Sequence, residues 1–94
     1  MIQTFKHILV TGGAGVVGSN LGLLLKRDLP GVRVTSLDNL KRRGSELNLP
    51  RLRKGRVDFI HGDIRNREDL LSIQPLDFIL ECSAEPSVLA GYSG

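Results

Sequence analysis

The stretch TGGAGVVGSN, residues 11–20, places four of the chain's 11 glycines within eight consecutive positions. Two explanations fit such a density: a flexible loop, or a backbone that must come close to a large, negatively charged group. The flanking residues decide between them. HILVT at 7–11 is a short apolar run that predicts a buried strand, and from Val17 the apolar residues recur at helical spacing, at 17, 21, 24 and 25. The stretch is therefore predicted to be the turn between a strand and a helix.

The rest of the chain continues this alternation. The first helix is predicted to end at DLPG (28–31), since proline and glycine cannot comfortably continue it. NREDLLSI (66–73) fits a short second helix that begins with Asn66 as its N-cap. Further strands are predicted at VRVTSLD (32–38), VDFIHGD (57–63) and LDFILECSA (76–84). The last of these is apolar enough to be buried on both faces.

The order strand, helix, strand, linker, strand, helix and strand is typical of a parallel sheet built from βαβ units. Because crossovers in such sheets are right-handed, we predict an α/β fold. It is expected to be the first half of a Rossmann-type doubly wound parallel sheet, truncated after about four strands with their flanking helices. The length agrees with this prediction, since 94 residues suffice for one small domain and not for two.

The composition indicates a folded globular chain, with 40% hydrophobic and 24% charged residues. A single cysteine excludes an internal disulfide and fits a reducing compartment, so we expect the chain to be cytoplasmic. The sequence has neither a run of about 18 apolar residues nor the pattern of a secretory signal. We therefore expect no membrane partner.

The segment KRRGSELNLPRLRKGR, residues 41–56, holds more than half of the chain's 13 basic residues and one acid, Glu46. Three interpretations are open: a solvated linker, a contact with an anionic cofactor or nucleotide sugar, and a nucleic-acid surface. The last is disfavoured, because the net charge is only +3, the segment has no aromatic residue and no helix-in-groove motif is present. We expect no nucleic-acid partner; DNA binding that weakens steeply with salt would contradict this.

The glycines satisfy two overlapping motifs. Residues 13–18 match G-x-G-x-x-G, and Gly12, Gly15 and Gly18 match the offset G-x-x-G-x-x-G. Directly after a strand and at the start of a helix, such glycines permit a tight turn, a close approach to a pyrophosphate and close packing of helix on strand. The free N–H groups and the dipole of the helix would face the phosphates. The alternative is a tight turn with no ligand.

An acid about 20 residues after such a motif binds the adenosine ribose, and Asp38 lies 20 positions after Gly18. A carboxylate there accepts hydrogen bonds from both ribose hydroxyls and repels a 2′-phosphate, which favours NAD over NADP. Two alternatives stay open. Asp38 could be a solvated turn residue, and Arg42 and Arg43 could accommodate a 2′-phosphate.

Together these features resemble the N-terminal part of an extended short-chain dehydrogenase/reductase of the NAD-dependent nucleotide-sugar epimerase/dehydratase family. The segment 11–21 is similar to the family's TGGxGFIGSxL, DNL (38–40) to its ribose-binding D-N-L, HGDIRN (61–66) to its G-D-I/V/L-R adenine segment, and ECSAEPSV (81–88) to its H-x-A-A-x-x-S-V. The chain departs from the pattern at Glu81, where the family usually has His, and at Ser83, usually Ala. Within the family, 36–49 and 79–92 are most similar to the CDP-paratose (CDP-tyvelose) 2-epimerase subfamily.

The resemblance implies NAD as cofactor. The residues it assigns to NAD are Gly12, Gly15, Val16, Val17, Gly18, Asp38, Asn39, Asp63, Ile64, Cys82, Ser83 and Ala84. The first five would surround the pyrophosphate and the next two would hold the ribose. Asp63 would take the exocyclic amine of adenine and Ile64 its face, although an aspartate there could be only a turn residue. The last three would line the path to the nicotinamide ribose. Cys82 is interpreted as a small buried hydrophobe rather than a nucleophile, and His7 and His61 as structural residues without a metal.

The family's catalytic Tyr-x-x-x-Lys pair, with a Ser or Thr, lies well after the fourth strand. Here the only tyrosine is Tyr92 and no lysine follows it. We therefore expect residues 1–94 to be an N-terminal NAD-binding Rossmann segment without catalytic residues or sugar-binding parts, inactive by itself. The resemblance implies that the intact enzyme oxidises a hydroxyl of a nucleotide sugar, inverts the centre and returns the hydride. A non-catalytic dinucleotide sensor, or a nucleotide-sugar dehydratase or reductase, is the alternative.

The predicted fourth strand would form an edge of this sheet. DFILECS (77–83) is apolar, and an apolar sheet edge without a neighbouring strand recruits partners. We expect self-association through it.

Overall fold

The structure, a computed structural model, describes residues 6–41 and 43–82. Its elements in chain order are β1 (His7–Thr11), α1 (Val16–Asp28), β2 (Arg33–Asp38), a 3₁₀ turn (Ser45–Asn48), α2 (Leu49–Lys54), β3 (Asp58–His61), α3 (Arg67–Leu71) and β4 (Phe78–Glu81).

The four strands form one parallel sheet in the order β3-β2-β1-β4. The chain winds outward from β1 to β3, and β4 then pairs with the other side of β1. Such a reversal leaves a crevice at the carboxyl ends of the central strands, which is where ligands bind in open α/β sheets. The predicted fold class, the first half of a doubly wound parallel sheet, is confirmed.

The core lies on both faces of the sheet because β1 is buried along its whole length. Leu9 and Val10 point to opposite faces, as successive strand residues do, and neither is exposed to solvent. On one face Val10 packs with Leu52 of α2 and with leucines of α1, and on the other Leu9 packs with Ile73, which follows α3. The helices thus cover the two faces of the sheet.

Helix α1 ends at Asp28, before Pro30, as predicted, but it packs through a different face. Its buried residues are Gly18, Ser19 and Gly22, whereas Val17 and Leu24 are 70% and 43% exposed. The helix lies so close to β2 that a Cβ added at Gly22 would be 3.5 Å from the Ser36 hydroxyl. Small residues permit this approach, so the leucine spacing predicted the helix correctly and its contact face only in part.

The basic segment is not a linker throughout, which corrects one of its interpretations. It forms the 3₁₀ turn and α2, and Leu52 of α2 is completely buried. Three of its cations, Arg51, Arg53 and Lys54, occupy the exposed last turn of α2 and complement the negative end of the helix dipole. Only one of its leucines is buried, which explains why the apolar residues of this segment show little helical periodicity.

The remaining elements agree with the predictions in place and type but are shorter. Asn66 caps α3, accepting hydrogen bonds from the N–H groups of Glu68 and Asp69. The predicted burial of the fourth strand on both faces is wrong, because Phe78 and Ile79 are 43% and 45% exposed where β4 forms the sheet edge. Among the described residues, no helix is both long and apolar enough to cross a membrane.

Candidate functional site

The carboxyl ends of all four strands open into one cavity of about 480 Å³, within the usual size of small-molecule sites. Its lining includes Thr11 from β1, Asp38 from β2, Asp63 just after β3, and Glu81 from β4. Parallel strands that end at the same edge bring these residues together, although they are far apart in sequence.

Most of the predicted cofactor residues line this cavity. Those that do are Gly12, Gly15, Val16, Val17, Gly18, Asp38, Asn39, Asp63, Ile64 and Cys82. Ser83 and Ala84 lie outside the described residues. Their roles toward NAD stay predictions, while their clustering is an observed property of the fold.

The glycines of the loop differ in what they do structurally. Gly12 has a φ of 67°, in the left-handed region that favours glycine. A Cβ at Gly13 would lie 2.4 Å from that of Ser36, and a Cβ at Gly18 would collide with the Gly12 carbonyl oxygen. Gly15 is different, because its nearest such neighbour is 3.4 Å away and it lines the cavity. Gly12, Gly13 and Gly18 are therefore required by the fold, and Gly15 leaves space at the cavity.

The N-terminus of α1 is open to the cavity. Its N-cap residue is Gly15, which offers no side-chain hydrogen bond, and its first turn contains no acid. The first N–H groups of a helix have no partner within the helix. In helix α3, by contrast, the Asn66 side chain accepts hydrogen bonds from N–H groups of the first turn. Helices α1 and α3 thus differ, and the uncapped end of α1, whose residues 15–18 line the cavity, is suited to an external anion.

Asp38 connects the end of β2 to the glycine-rich loop. One carboxylate oxygen accepts the Ala14 N–H at 2.9 Å and the other accepts the Leu40 N–H at 2.8 Å. Each carboxylate oxygen can accept about two hydrogen bonds, so each retains capacity toward a ligand hydroxyl in the cavity. Asp38 therefore both holds the loop and presents an acceptor, whereas the sequence indicated only the acceptor.

Asp63 is paired with Arg65. The guanidinium donates to Oδ1 at 3.1 Å and to Oδ2 at 2.8 Å, and the Arg65 N–H donates to Oδ1 at 2.9 Å. These bonds hold the pKa of the Asp63 carboxyl well below its usual range. Because Oδ1 already accepts two bonds, Oδ2 is the oxygen with room for the predicted contact to an adenine amine. Ile64 packs against the core beside Leu37, which fixes the residue after Asp63.

The end of β4 places the Glu81 carboxylate beside β1. The Thr11 hydroxyl donates to Glu81 Oε1 at 2.5 Å, so the residue that departs from the family's histidine is bonded to the central strand. Burial, and to a smaller extent the Glu81 carboxylate, raises the pKa of the Cys82 thiol. Cys82 also packs against the core of Val10 and Val34. The thiol stays protonated at neutral pH, which agrees with its interpretation as a small hydrophobe.

Both histidines lie within hydrogen-bond distance of groups that support a structural role. His7 is buried, with Nδ1 3.0 Å from the Pro75 carbonyl and Nε2 2.7 Å from the Thr35 hydroxyl. Since a carbonyl only accepts, Nδ1 carries the proton toward Pro75. His61 Nε2 lies 3.1 Å from the Asn39 carbonyl. Within 6–41 and 43–82 no cluster of metal-binding side chains is found.

The sequence alone missed several cavity residues: Thr11, Lys41, Ser45 and Arg65. Arg65 stands inside the quoted HGDIRN motif, so its nearness to Asp63 could have been noted. Lys41 and Ser45 belong to the basic segment, and their position supports the interpretation in which part of that segment meets an anionic ligand. No sequence signal distinguished these two from their neighbours.

Comparison with known proteins gives a family match over nearly the whole chain. A model described as the NAD dependent epimerase/dehydratase family matches residues 8–93. CDP-paratose 2-epimerase of Salmonella typhi is 42% identical over 64 residues, covering 67% of this chain and 18% of that protein.

Two solved structures share the fold and cover most of the chain. The dTDP-glucose 4,6-dehydratase of Bacillus anthracis, in complex with NAD, superposes with a TM-score of 0.73 at 26% identity, over 94% of this chain and 29% of that one. The UDP-glucose-4-epimerase of Stenotrophomonas maltophila, with bound NAD and formylated UDP-arabinopyranose, gives 0.69 at 26% identity, over 96% and 27%. The chain thus spans less than a third of the length of each of these proteins.

Proposed function

The chain belongs to the NAD-dependent epimerase/dehydratase family, and we propose that residues 1–94 are the NAD-binding N-terminal segment of a nucleotide-sugar epimerase. The single observation that carries the proposal is the meeting of four strand ends and the open N-terminus of α1 around one cavity. An anion at that helix end and an acceptor at Asp38 are what a dinucleotide requires.

The residues around the cavity fit NAD. The space at Gly15, which a side chain would fill, lies beside the free N–H groups of the first turn of α1 and suits a pyrophosphate. Asp38 and Asn39 would hold the adenosine ribose, and Asp63 with Ile64 would flank the adenine. Bound NAD supplies reversible hydride transfer with a carbon of the sugar. The chain's own residues orient the dinucleotide; none of them is proposed to move a proton.

Asp38 supports NAD over NADP. It faces the cavity as a carboxylate that would repel a 2′-phosphate. Arg43, one of the two arginines that could offset this repulsion, is exposed and does not line the cavity, while Lys41 does. Arg42 lies outside the described residues. We expect NAD to bind more tightly.

The choice of an epimerase rests on the relatives. The 42% identity is to an epimerase, and the structural neighbours include both an epimerase and a dehydratase. A dehydratase or reductase of the same superfamily, or a dinucleotide sensor, is the alternative. The chain contains no Tyr-x-x-x-Lys pair, so we propose that the 94 residues alone do not turn over a nucleotide sugar. Its single cysteine supports a proposed cytoplasmic location.

Calorimetric titration of NAD and NADP into the chain tests the proposal. We expect NAD to bind, NADP to bind more weakly, and Asp38→Ala to lose affinity for NAD and most of the preference. Asp28→Ala, at the far end of α1, is the charge-matched control, since among the described residues Asp28 forms its ion pair with the neighbouring, exposed Arg27 and lies far from the cavity. Equal NAD binding by Asp38→Ala would remove the ribose assignment, and no binding by the unmutated chain would refute the function.

We also propose that β4 associates with the β4 strand of a second copy. β4 forms one edge of the described sheet and exposes Ile79. A lysine on an edge strand opposes such pairing, so Ile79→Lys should shift any oligomer toward monomer. Sedimentation equilibrium measures this; a monomer at every concentration of the unmutated chain would contradict the proposal.

A further inference from the structure

The glycine-rich loop is held from outside the sheet by a side chain of the basic segment. Asn48, at the end of the 3₁₀ turn, donates from Nδ2 to the Ala14 carbonyl at 2.6 Å, across 34 positions of sequence. Ala14 is completely buried between Gly13 and Gly15. Its N–H donates to Asp38, so both polar groups of its backbone are bonded to side chains from elsewhere in the chain.

Arg51 fixes Asn48 in turn. Its Nη1 donates to Asn48 Oδ1 at 3.0 Å, and its Nη2 donates to Asn20 Oδ1 at 2.7 Å. Asn20 belongs to the second turn of α1. The planar, forked guanidinium therefore joins α2 to α1 while it orients the amide that holds Ala14. One continuous chain of hydrogen bonds runs from α1 through α2 to the loop.

This anchor matters because of what the loop is made of. Four glycines within 12–18 have many accessible conformations in a free chain, and each must be fixed when a ligand binds. Ala14 does not line the cavity, whereas Gly12 and Gly15 on either side of it do. Holding Ala14 at both polar groups sets the direction of the backbone at the cavity before a ligand arrives.

A simpler explanation for the basic segment is attraction of phosphates by its net charge. The contacts of Arg51 argue against that role for it, because its guanidinium is directed at two neutral amides. Arg53, on the same helix and equally charged, is exposed and offers a matched comparison. General attraction would involve both arginines alike and would weaken with salt, whereas an anchor would involve one of them.

We propose that Asn48 is a positioning residue of the dinucleotide site, and that Arg51 acts through it. The inference rests on the proposed function. Asn48 does not touch the ligand: it fixes the Ala14 carbonyl, and thereby the backbone at Gly12 and Gly15, in the conformation that accepts a pyrophosphate.

The test compares four variants of the full 94-residue chain: Asn48→Ala, Asn48→Asp, Arg51→Met and the control Arg53→Met. Asn48→Asp keeps the shape and the acceptor for Arg51 but cannot donate to the Ala14 carbonyl while ionised. NAD affinity is measured by calorimetry at low and high salt. Amide hydrogen exchange of Ala14, followed by NMR without ligand, reports on the loop itself. Urea unfolding checks that each variant is folded.

Both Asn48 variants should bind NAD about fivefold more weakly, as expected for the loss of one hydrogen bond, and Arg51→Met about threefold. The Ala14 N–H keeps its bond to Asp38 in the Asn48 variants, but the loop opens more easily once the bond to the Ala14 carbonyl is lost. Exchange of the Ala14 amide should therefore accelerate about fivefold, which corresponds to the loss of one hydrogen bond. At high salt, Arg53→Met should bind NAD with the same affinity as the unmutated chain. If Asn48→Ala fails to fold, Asn48→Asp and Arg51→Met carry the same test.

Unchanged NAD affinity in the Asn48 variants would overturn the inference, as would equal losses in Arg51→Met and Arg53→Met that vanish at high salt. If the unmutated chain does not bind NAD, the proposed function fails separately. The exchange rate of the Ala14 amide then tests whether Asn48 holds the loop, and an unaltered rate in Asn48→Asp would overturn that claim.

Discussion

Replacing two glycines of the loop by alanine, one at a time, should separate ligand binding from folding. Gly15→Ala adds a methyl group at the cavity, and Gly18→Ala adds the same group between helix and loop. The two changes are chemically identical and lie three residues apart. If the structural roles assigned to the glycines are correct, they should have opposite consequences.

The cost of Gly18→Ala follows from what the new Cβ would meet. It would lie 2.2 Å from the Gly12 carbonyl oxygen, 2.9 Å from the Gly12 carbonyl carbon and 3.0 Å from the Gly13 Cα. All three are backbone atoms, which cannot rotate away as a side chain can. Overpacking a core costs roughly 1–3 kcal/mol, and rigid neighbours place this case at the upper end, about 3 kcal/mol. With m of about 1–3 kcal/mol/M in urea, the urea midpoint should fall by about 1–3 M.

Gly15→Ala should leave stability almost unchanged. Its φ of −73° and ψ of 175° are accessible to alanine, and the nearest atom to the new Cβ is 3.4 Å away. Alanine stabilises the fold by about 0.4–1 kcal/mol, because it lowers the conformational entropy of the unfolded chain. It is also a poorer N-cap than glycine, which costs several tenths of a kcal/mol or more. These terms nearly cancel. At the cavity, however, the methyl group would keep a pyrophosphate from the first N–H groups of α1, and losing one charge-assisted hydrogen bond of about 1.5–3 kcal/mol weakens binding roughly 10–100-fold.

Urea unfolding and calorimetric titration of NAD, run on the same preparations, measure both effects. Gly31→Ala is the control, because an added Cβ there meets nothing within 4 Å and the residue lies in an exposed turn after α1. Full NAD affinity in Gly15→Ala would show that the loop does not approach a pyrophosphate. Full stability in Gly18→Ala would show that α1 is not packed against the loop as described.

Three further substitutions test the surroundings of the site. Ser36→Ala should stabilise the chain to urea by about 1 kcal/mol, because the buried Ser36 hydroxyl has no hydrogen-bond partner in the described structure; a loss of stability would contradict this. Glu81→Gln should lower the pKa of Cys82, so alkylation of the thiol by iodoacetamide should reach its half-maximal rate at lower pH, and an unmoved profile would exclude a contribution from Glu81. Hydrogen bonds from the Lys6 and His7 N–H groups lower the pKa of Asp77 below its usual 3.8, so its contribution to stability is complete above about pH 4 and is lost as pH falls through the lower folded value. Acid titrations of urea stability should therefore be flatter below pH 4 in Asp77→Asn than in the unmutated chain.

The features that the sequence predicted correctly are mostly those that depend on residues close together in the chain. The glycine-rich turn depends on backbone constraints within eight positions, and its position between β1 and α1 was predicted correctly. The cap at Asn66 is a local pattern of the same kind, and the structure confirms it. Asp38 could be located because the length of one βα unit fixes its distance from Gly18.

The parts that the sequence did not predict depend on distant contacts. The buried face of α1 is made of Gly18, Ser19 and Gly22, because the glycine-rich loop leaves no room for a side chain at Gly18 and β2 already lies at contact distance from Gly22. Helical spacing alone does not carry this information. Helix α2 has a single fully buried side chain, Leu52, so its apolar periodicity is weak. The bond from Asn48 to the loop joins residues that no local pattern relates.

Besides the side-chain contacts described above, backbone hydrogen bonds that extend the sheet past its strands hold the loops around the cavity. Gly13 N–H donates to the Leu37 carbonyl at 3.2 Å, Gly62 N–H to Asp38 at 3.0 Å, and Cys82 N–H to Thr11 at 3.0 Å. Such bonds do not depend on side-chain identity, so the strand ends that frame the cavity should keep their positions when lining residues other than Gly12 and Gly18 change. Selectivity for a ligand then depends on the few side chains at the strand ends, which is why one parallel sheet can serve many relatives with different substrates. For this chain it follows that a substitution at Gly15 should alter how tightly a dinucleotide binds well before it alters the fold, whereas a substitution at Asp38, whose carboxylate also holds Ala14 and Leu40, should affect both.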